Sequence, residues 1–586
     1  MLAKSFKRRI LLLYISVVIL FLLIFYQLFR LTVRNQEMLT DFAERQHNLV
    51  IEIPPERGVI YDHRMQVLAT NLRSPSIYAV PRLISKSNIK KLAAILSRIL
   101  GLDQKYLSDR LLRDKSFVWL KRRTAVKEAE EIMSLENPVL GVAYESKRFY
   151  PHSEMLSNIL GFCDIDNKGV DGLEMLYERE LSGRTGYRYT KRDALGREIV
   201  SMEQKLIPAV DGADLILTID KHIQFYTEQA LNEAFLQWKA KAAIAVVMNP
   251  KTGEILAMAS RPTFDPNFRG KSDTASRRNR PVTDIFEPGS VFKIVTVTGA
   301  LQEKAIQLTD TFNCEQGFWR ARPNRTIHDV HPYGILDVPM VLIKSSNIGT
   351  VKIAMKLGDK KLYEYVKKFG FGDKTGIDFP GEVVGIFRPL DRWSKFSITS
   401  IPYGQEVAAT ALQMVRAVSV IANGGYLVKP YLLKEIKDSK GVVLSHREPE
   451  LRGPIVSPAV AETVKGILER VVSEGTGKGA YMTDIRAGGK TGTSQKLEPN
   501  GTYSHSHFIG SFIGFAPVED PQLAMFVGID DPHPLYYGGT VAAPVFKSVI
   551  ERSLWYLGYV PPAVKEGEAA AGTGEIRANP TFSSIS

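Results

Sequence analysis

A serine three residues ahead of a lysine opens the chemical reading of this chain, in Glu287-Pro288-Gly289-Ser290-Val291-Phe292-Lys293. Pro and Gly punctuate a helix start and apolar residues run on to Val297. Ser290 is therefore predicted in the first helical turn, with Lys293 on the same face. A helix amino terminus offers unsatisfied N–H groups and a positive dipole to a developing anion. Burial among Val291, Phe292, Ile294 and Val295 lowers an ammonium pKa, which lets Lys293 act as a base toward the Ser290 hydroxyl. Glu287 to Gly289 are given only the task of placing the serine. Taken alone, Ser-x-x-Lys is common on solvated helix surfaces.

Two later motifs give it context. In Ser345-Ser346-Asn347, Ser345 can pass a proton between Lys293 and a leaving amine. Asn347 can hold Lys293 and bind a substrate amide, although helix capping is the ordinary work of Ser and Asn. In Gly488-Gly489-Lys490-Thr491-Gly492-Thr493, a strand ending in Lys-Thr-Gly can face the nucleophile across a cleft. Gly492 permits close backbone approach. Lys490 and the threonine hydroxyls can bind a terminal carboxylate, and the N–H groups of Ser290 and Thr493 can form an oxyanion hole. A phosphate-binding loop needs a further glycine at 484, where Asp484 stands. The spacing alone supports a serine acyl-transfer site.

The elements that must position these residues are legible in outline. Residues 215–219 read as a strand and 222–239 as a helix. Residues 243–248 read as an apolar strand, Asn249-Pro250-Lys251-Thr252-Gly253 as a turn, and 254–259 as the returning strand. Residues 507–515 and 522–529 look like two more strands. The sheet is thus expected to draw on both ends of its domain, with the intervening helix-rich stretch packed on it. Ahead of it, residues 54–215 alternate short β-branched runs with helices. One helix, 89–100, is expected to set Ile89, Leu92, Ile95, Leu96 and Ile99 on its inner face.

Lys4, Lys7, Arg8 and Arg9 precede an apolar run over 10–26 that continues to Leu31. About 20 helical residues cross a hydrocarbon core, and leading basic residues favour a cytoplasmic amino terminus. With no small-x-small cleavage site, the segment reads as an uncleaved anchor. Residues 36–50 look like a polar stalk. The 586 residues exceed one ordinary domain. The net charge of +13 suits anionic surroundings, but no nucleic-acid module is present. Cys163 and Cys314 are expected to stay unpaired, and no cysteine–histidine cluster has metal spacing, so neither metal nor cofactor is expected. His328 and His331, flanking Asp329, read as loop.

In this order the three motifs resemble those of penicillin-binding proteins, and the whole chain is similar to class B members, most closely the division-type transpeptidases. In the first outer segment the resemblance rests on Arg57-Gly58-Val59-Ile60-Tyr61-Asp62, Arg148-Phe149-Tyr150-Pro151, Gly169-Val170-Asp171-Gly172-Leu173-Glu174 and Arg192-Asp193-Ala194-Leu195-Gly196. In the catalytic part it rests on Asn249 to Glu254, Tyr403-Gly404-Gln405 and Ala422-Asn423-Gly424-Gly425. His63-Arg64-Met65 departs from the family's usual Arg-Asn-Gly.

The resemblance implies an α+β fold with a single transmembrane helix (10–31) behind a cytoplasmic tail (1–9). A mixed α/β pedestal (45–215) follows. Then comes a serine β-lactamase-like transpeptidase domain (216–560), with an antiparallel sheet flanked by helices, and a disordered tail (561–586). It assigns Ser290, Lys293, Ser345, Asn347 and Lys490 to catalysis, and Thr491, Gly492 and Thr493 to substrate binding. The implied reaction is attack of Ser290 on the D-Ala–D-Ala amide of a peptidoglycan stem peptide. An amine on a neighbouring strand then takes the acyl group, and β-lactams act as covalent inhibitors.

The implied setting is septal wall synthesis at the cytoplasmic membrane, with the bulk of the chain on the outer face. The implied partners are a polytopic glycan polymerase of the shape, elongation, division and sporulation (SEDS) type and other division proteins. Arg57 and its neighbours are read as internal pedestal salt bridges in preference to a docking surface. Lack of carboxy-terminal penicillin-sensing repeats suggests a Gram-negative-type envelope. A class A protein would need a glycosyltransferase Glu-Asp motif, and a β-lactamase a deacylating Glu-x-x-Leu-Asn; neither is found. An elongation-type protein and a penicillin-binding sensor or scaffold are the remaining alternatives.

Overall fold

The computed structural model describes residues 2–34, 48–192, 198–199, 205–498 and 502–561. The expected disordered tail after 561, most of the expected stalk and Asp193 to Gly196 lie outside the described residues. The chain forms two compact units, Met1–Glu56 with Gly183–Gly212 and Arg57–Ser182 with Ala213–Ser586.

In the first unit an apolar helix, Leu2–Phe29, runs into a wider π-type turn, Arg30–Arg34. The stretch Ser5–Val33 is long and apolar enough to cross a membrane and none of it is buried. The same unit holds a small antiparallel sheet in which Asn48–Ile53 and Lys205–Ile207 pair with Gly186–Arg192.

The second unit is built around two sheets. A five-stranded antiparallel sheet has the order Ile255–Arg261, Ala242–Met248, Leu523–Asp530, Tyr503–Ala516, Gly488–Leu497. It draws on both ends of the domain, as the sequence predicts. Its side chains alternate between two cores, as a period of two requires. Ile244, Val246 and Met248 pack with the wholly buried helix Ala411–Ala422 and with Lys293–Gln302. Ala243, Ala245 and Val247 pack with Lys221–Gln237 and Ala543–Tyr556. The Gly488–Leu497 strand lies at the sheet's edge, with its free side open to other groups.

The strand expected over 215–219 forms as Asp214–Leu217, but in the other, seven-stranded sheet. There it joins Leu433–Lys437 on one side to Ile60–Tyr61 on the other. Its hydrophobicity is that of any buried strand, so only pairing could assign it. The helix Ile89–Leu100 forms as predicted, but Ile95 turns outward and Ala93 and Leu100 take inner positions.

In the pedestal part of this unit, three quoted motifs converge on one buried ion cluster. Glu174, fully buried, receives Arg57 at 2.7 Å and Arg148 at 2.6 Å. Arg57 also reaches Glu178 at 2.7 Å. These internal salt bridges are the role the sequence favours for Arg57. Burial alone would raise the Glu174 pKa, but Arg148 and Arg57 overcome it and hold the carboxyl below its usual range.

Candidate active site

Gly289–Phe292 forms one 3-10 turn that leads into the helix Lys293–Gln302. Ser290 is half-buried at this start, and among the described residues its Oγ makes no hydrogen bond. Lys293, one turn on, is fully buried. Its Nζ donates to the Ser345 carbonyl at 2.5 Å and to Ser345 Oγ at 3.2 Å. From the edge strand, Lys490 Nζ donates to the same Ser345 Oγ at 2.8 Å. The three motifs, dispersed over some two hundred residues of sequence, thus meet at one hydroxyl, with a buried amine on either side.

Ser345 holds this position with φ +59°, a left-handed conformation costing about 1 kcal/mol outside glycine. The turn is pinned from behind. Asp329 Oδ2 accepts from Ser346 Oγ at 2.6 Å, and Oδ1 accepts from the amides of Asn347 at 2.5 Å and Ile348 at 3.1 Å. Ser346 in turn caps the helix Asn347–Leu357 by accepting from the Gly349 amide at 2.9 Å.

Burial is the main force on both amines. It pushes Lys293 down to about 7, against the opposing pull of Asp329 and Cys314. It pushes Lys490 well below its usual value too, with repulsion from Lys293 adding to the effect. Two ammonium ions on one serine hydroxyl would repel strongly, so the arrangement disfavours both amines being protonated at once.

The edge strand closes the other wall. A Cβ on Gly289 would lie 3.2 Å from the Thr493 carbonyl, so that carbonyl faces the serine turn. A strand residue's N–H and C=O point to the same side, which turns the Thr493 amide toward Ser290 as well. The Thr493 hydroxyl accepts from the Gly538 amide at 3.2 Å, and Thr491 Oγ1 bonds to Thr476 Oγ1 at 2.8 Å. At Gly492 a side chain would strike Ser511 Oγ and come within 3.1 Å of the Pro288 carbonyl. That contact is the physical reason for glycine between the two threonines.

All the sequence-predicted site residues therefore gather here, with one difference. Lys293 is held by Ser345 and not by Asn347, whose Nδ2 donates to the His328 carbonyl at 2.8 Å. Asn347 is the first residue of its helix, and its side chain turns back toward the preceding loop.

Several residues given no part by the sequence hold the site together. Asp329 is one; nothing local marks it, because its partners lie 17 to 19 residues on. Glu287 is another. Its Oε1 accepts from the Glu406 amide at 2.9 Å and from the Tyr503 hydroxyl at 3.1 Å, and burial together with Glu406 raises its pKa. Arg325 Nη2 donates to Ser400 Oγ and Tyr403 Oη, both at 2.9 Å. Tyr403 and Gln405 were legible as a motif, though not as the floor beneath Ser290, where the Gly289 amide donates to the Gly404 carbonyl at 3.2 Å. Among the described residues no His/Cys/Asp/Glu group has the arrangement of a metal site.

Known proteins are similar to this chain over most of its length. Residues 243–551 match the family model described as the penicillin binding protein transpeptidase domain, and residues 52–217 the penicillin-binding protein dimerisation domain. The stage V sporulation protein D of Bacillus subtilis (strain 168) is 36% identical over 562 residues, covering 95% of this chain and 86% of that protein. The peptidoglycan D,D-transpeptidase FtsI of Escherichia coli (strain K12) is 30% identical over 546 residues, covering 92% of this chain and 90% of that protein. A crystal structure of penicillin binding protein 3 from Mycobacterium tuberculosis, complexed with aztreonam, superposes with a TM-score of 0.67 at 27% identity, covering 87% of this chain and 98% of that one.

Proposed function

Since this chain belongs to the class B penicillin-binding proteins, we propose that it is a peptidoglycan D,D-transpeptidase working through an acyl-enzyme on Ser290. The observation that carries the reading is the Lys293–Ser345–Lys490 chain beside an unengaged serine hydroxyl.

Neutral Lys293 takes the Ser290 proton as Oγ attacks the penultimate D-Ala carbonyl. The carbonyl oxygen gains negative charge and is met by the N–H groups of Ser290 and Thr493. The C–N bond breaks, and the departing D-Ala nitrogen receives a proton relayed through Ser345 Oγ. An acceptor amine then attacks the ester. A new C–N bond forms, the Ser290 Oγ–C bond breaks, and Oγ recovers the proton the amine gives up.

Lys490, Thr491 and Thr493 hold the donor's terminal carboxylate, with Gly492 letting the backbone come close. Binding that anion favours the protonated form of Lys490. With Asn347 Nδ2 committed to His328, its Oδ1 accepts from a substrate amide.

The anchor makes the protein single-pass, with its amino terminus in the cytoplasm and its bulk outside. We assign it to septal wall synthesis beside a SEDS-type glycan polymerase and other division proteins, a reading supported by the FtsI relative. The sporulation relative favours a second role, wall synthesis in the spore. Depletion separates them: growing cells filament under the first and divide normally under the second.

The acyl-enzyme is tested by labelling with a fluorescent penicillin, followed by intact mass in wild type and Ser290→Ala. A lasting one-to-one adduct that Ser290→Ala abolishes is expected. No adduct on folded wild type would remove the nucleophile assignment, and rapid hydrolysis of the adduct would turn the reading to a β-lactamase.

A further inference from the structure

Beside the site stands a two-stranded hairpin, Phe318–Arg322 paired with Arg325–His328. Its side chains alternate. Trp319, Ala321 and Ile327 pack inward on Cys314, Ile348 and Val351, which leaves Arg320 and Arg322 exposed on the other face. Arg325 is half-buried at the hairpin's turn.

Among the described residues none of the three arginines pairs with a carboxylate. Arg320 Nε and Nη2 donate to the Pro323 carbonyl at 3.0 and 2.8 Å. Arg325 is bound only by neutral groups, the third being Gln405 Oε1 at 3.4 Å. The nearest acids in sequence are engaged elsewhere: Glu315 pairs with Lys352 at 2.7 Å, and Asp329 is taken up by the turn carrying Ser345. Such uncompensated charge is a focused positive field on one small element.

The hairpin is fixed to the catalytic residues at both of its ends. His328 receives Asn347, while Arg325 grips Tyr403, next to the glycine under Ser290. It therefore adjoins the cleft from the side of Asn347 and Tyr403, while Lys490 and Thr493, assigned above to the donor's carboxylate, belong to the edge strand.

We propose that this arginine hairpin is the docking surface for the acceptor strand, which it recognises through the carboxylates of an anionic peptide. The inference rests on the transpeptidase reading. An acceptor stem peptide is the same kind of molecule as the donor and carries a terminal carboxylate of its own. Planar guanidinium groups bind carboxylates with two parallel hydrogen bonds, and a cationic patch raises the local concentration of an anion. The exposed Arg320 and Arg322 thus act on the second half of the reaction, when the acceptor amine competes with water for the Ser290 ester. They touch no group that acylation uses.

The test uses the full-length protein in detergent, a stem-peptide thioester as donor, and one acceptor pentapeptide made with free carboxylates or fully amidated. The readout is the ratio of aminolysed to hydrolysed product. Arg320→Gln/Arg322→Gln is expected to lower that ratio about tenfold for the free-carboxylate acceptor, two weak exposed pairs together, and to leave the amidated acceptor unchanged. Labelling of Ser290 by fluorescent penicillin stays within about twofold of wild type. As a check needing no variant, added salt should depress the ratio in wild type for the charged acceptor alone. An equal fall for both acceptors, no fall for either, or salt insensitivity would overturn the proposal. Loss of the acyl-enzyme in wild type would instead strike the transpeptidase reading beneath it.

Discussion

At the scale of single residues, the site turns on two amines kept out of water. The sequence offered the reason for Lys293, which stands in an apolar helical run, and burial does push its pKa down to about 7. Below that pH the amine is protonated and cannot accept the serine's proton; above it the base is available. The second-order rate of Ser290 acylation by penicillin should therefore rise with pH, with an apparent midpoint near 7, and flatten beyond it. A rate independent of pH between 5.5 and about 9 would show that Lys293 is not the titrating base. The second amine was legible only in part: Lys490 was read as a carboxylate binder and assigned to catalysis by the family resemblance, but only the fold shows it sharing a hydroxyl with Lys293. Asp329 was hidden for a related reason: in sequence it is one acid in a polar loop, and its partners are supplied by a helix that begins 18 residues later.

At the scale of elements, the site is an agreement between three pieces of backbone: the serine's 3-10 turn, the edge strand and the 403–406 loop. Glycine allows the contact. Gly404 has φ +83°, and a Cβ there would run into the backbone of Gly289. Gly404→Ala should thus displace the nucleophile without touching a catalytic group. The expected result is acylation slower by about 10- to 100-fold in a protein with near-normal secondary structure, read by stopped-flow labelling and circular dichroism. Unchanged acylation would mean that the turn tolerates the shift. The alternation of Ala243, Ile244, Ala245, Val246 and Val247 between two cores was legible as a buried strand. The destination of Asp214–Leu217 was not, because a strand buried on both faces carries no mark of which sheet it joins.

At the scale of the whole molecule, the pedestal motifs quoted from the sequence converge on a buried cluster of Arg57, Arg148 and Glu174, far apart in the chain and closed on one carboxylate. Its motifs could be read in the sequence, and so could its preferred role as internal ion pairing, but not which residues meet. Glu174→Gln leaves two buried guanidinium groups facing a neutral amide. It should destabilise the protein by about 3–5 kcal/mol, seen as a lowered melting temperature, while any folded fraction still labels at Ser290. An unaltered melting temperature would show that the cluster adds nothing to stability. The two cysteines lie at the two places that matter most to this architecture. Cys163 donates to Glu174 Oε2 at 3.3 Å inside the ion cluster, and Cys314 Sγ lies 3.2 Å from Ser346 Oγ behind the catalytic turn. Both remain buried thiols. A thiol reagent added to the native protein therefore meets silence, and each cysteine becomes a clock for its own neighbourhood. Under rising denaturant, the order in which the two are modified records whether the pedestal or the catalytic turn lets go first, with no label introduced.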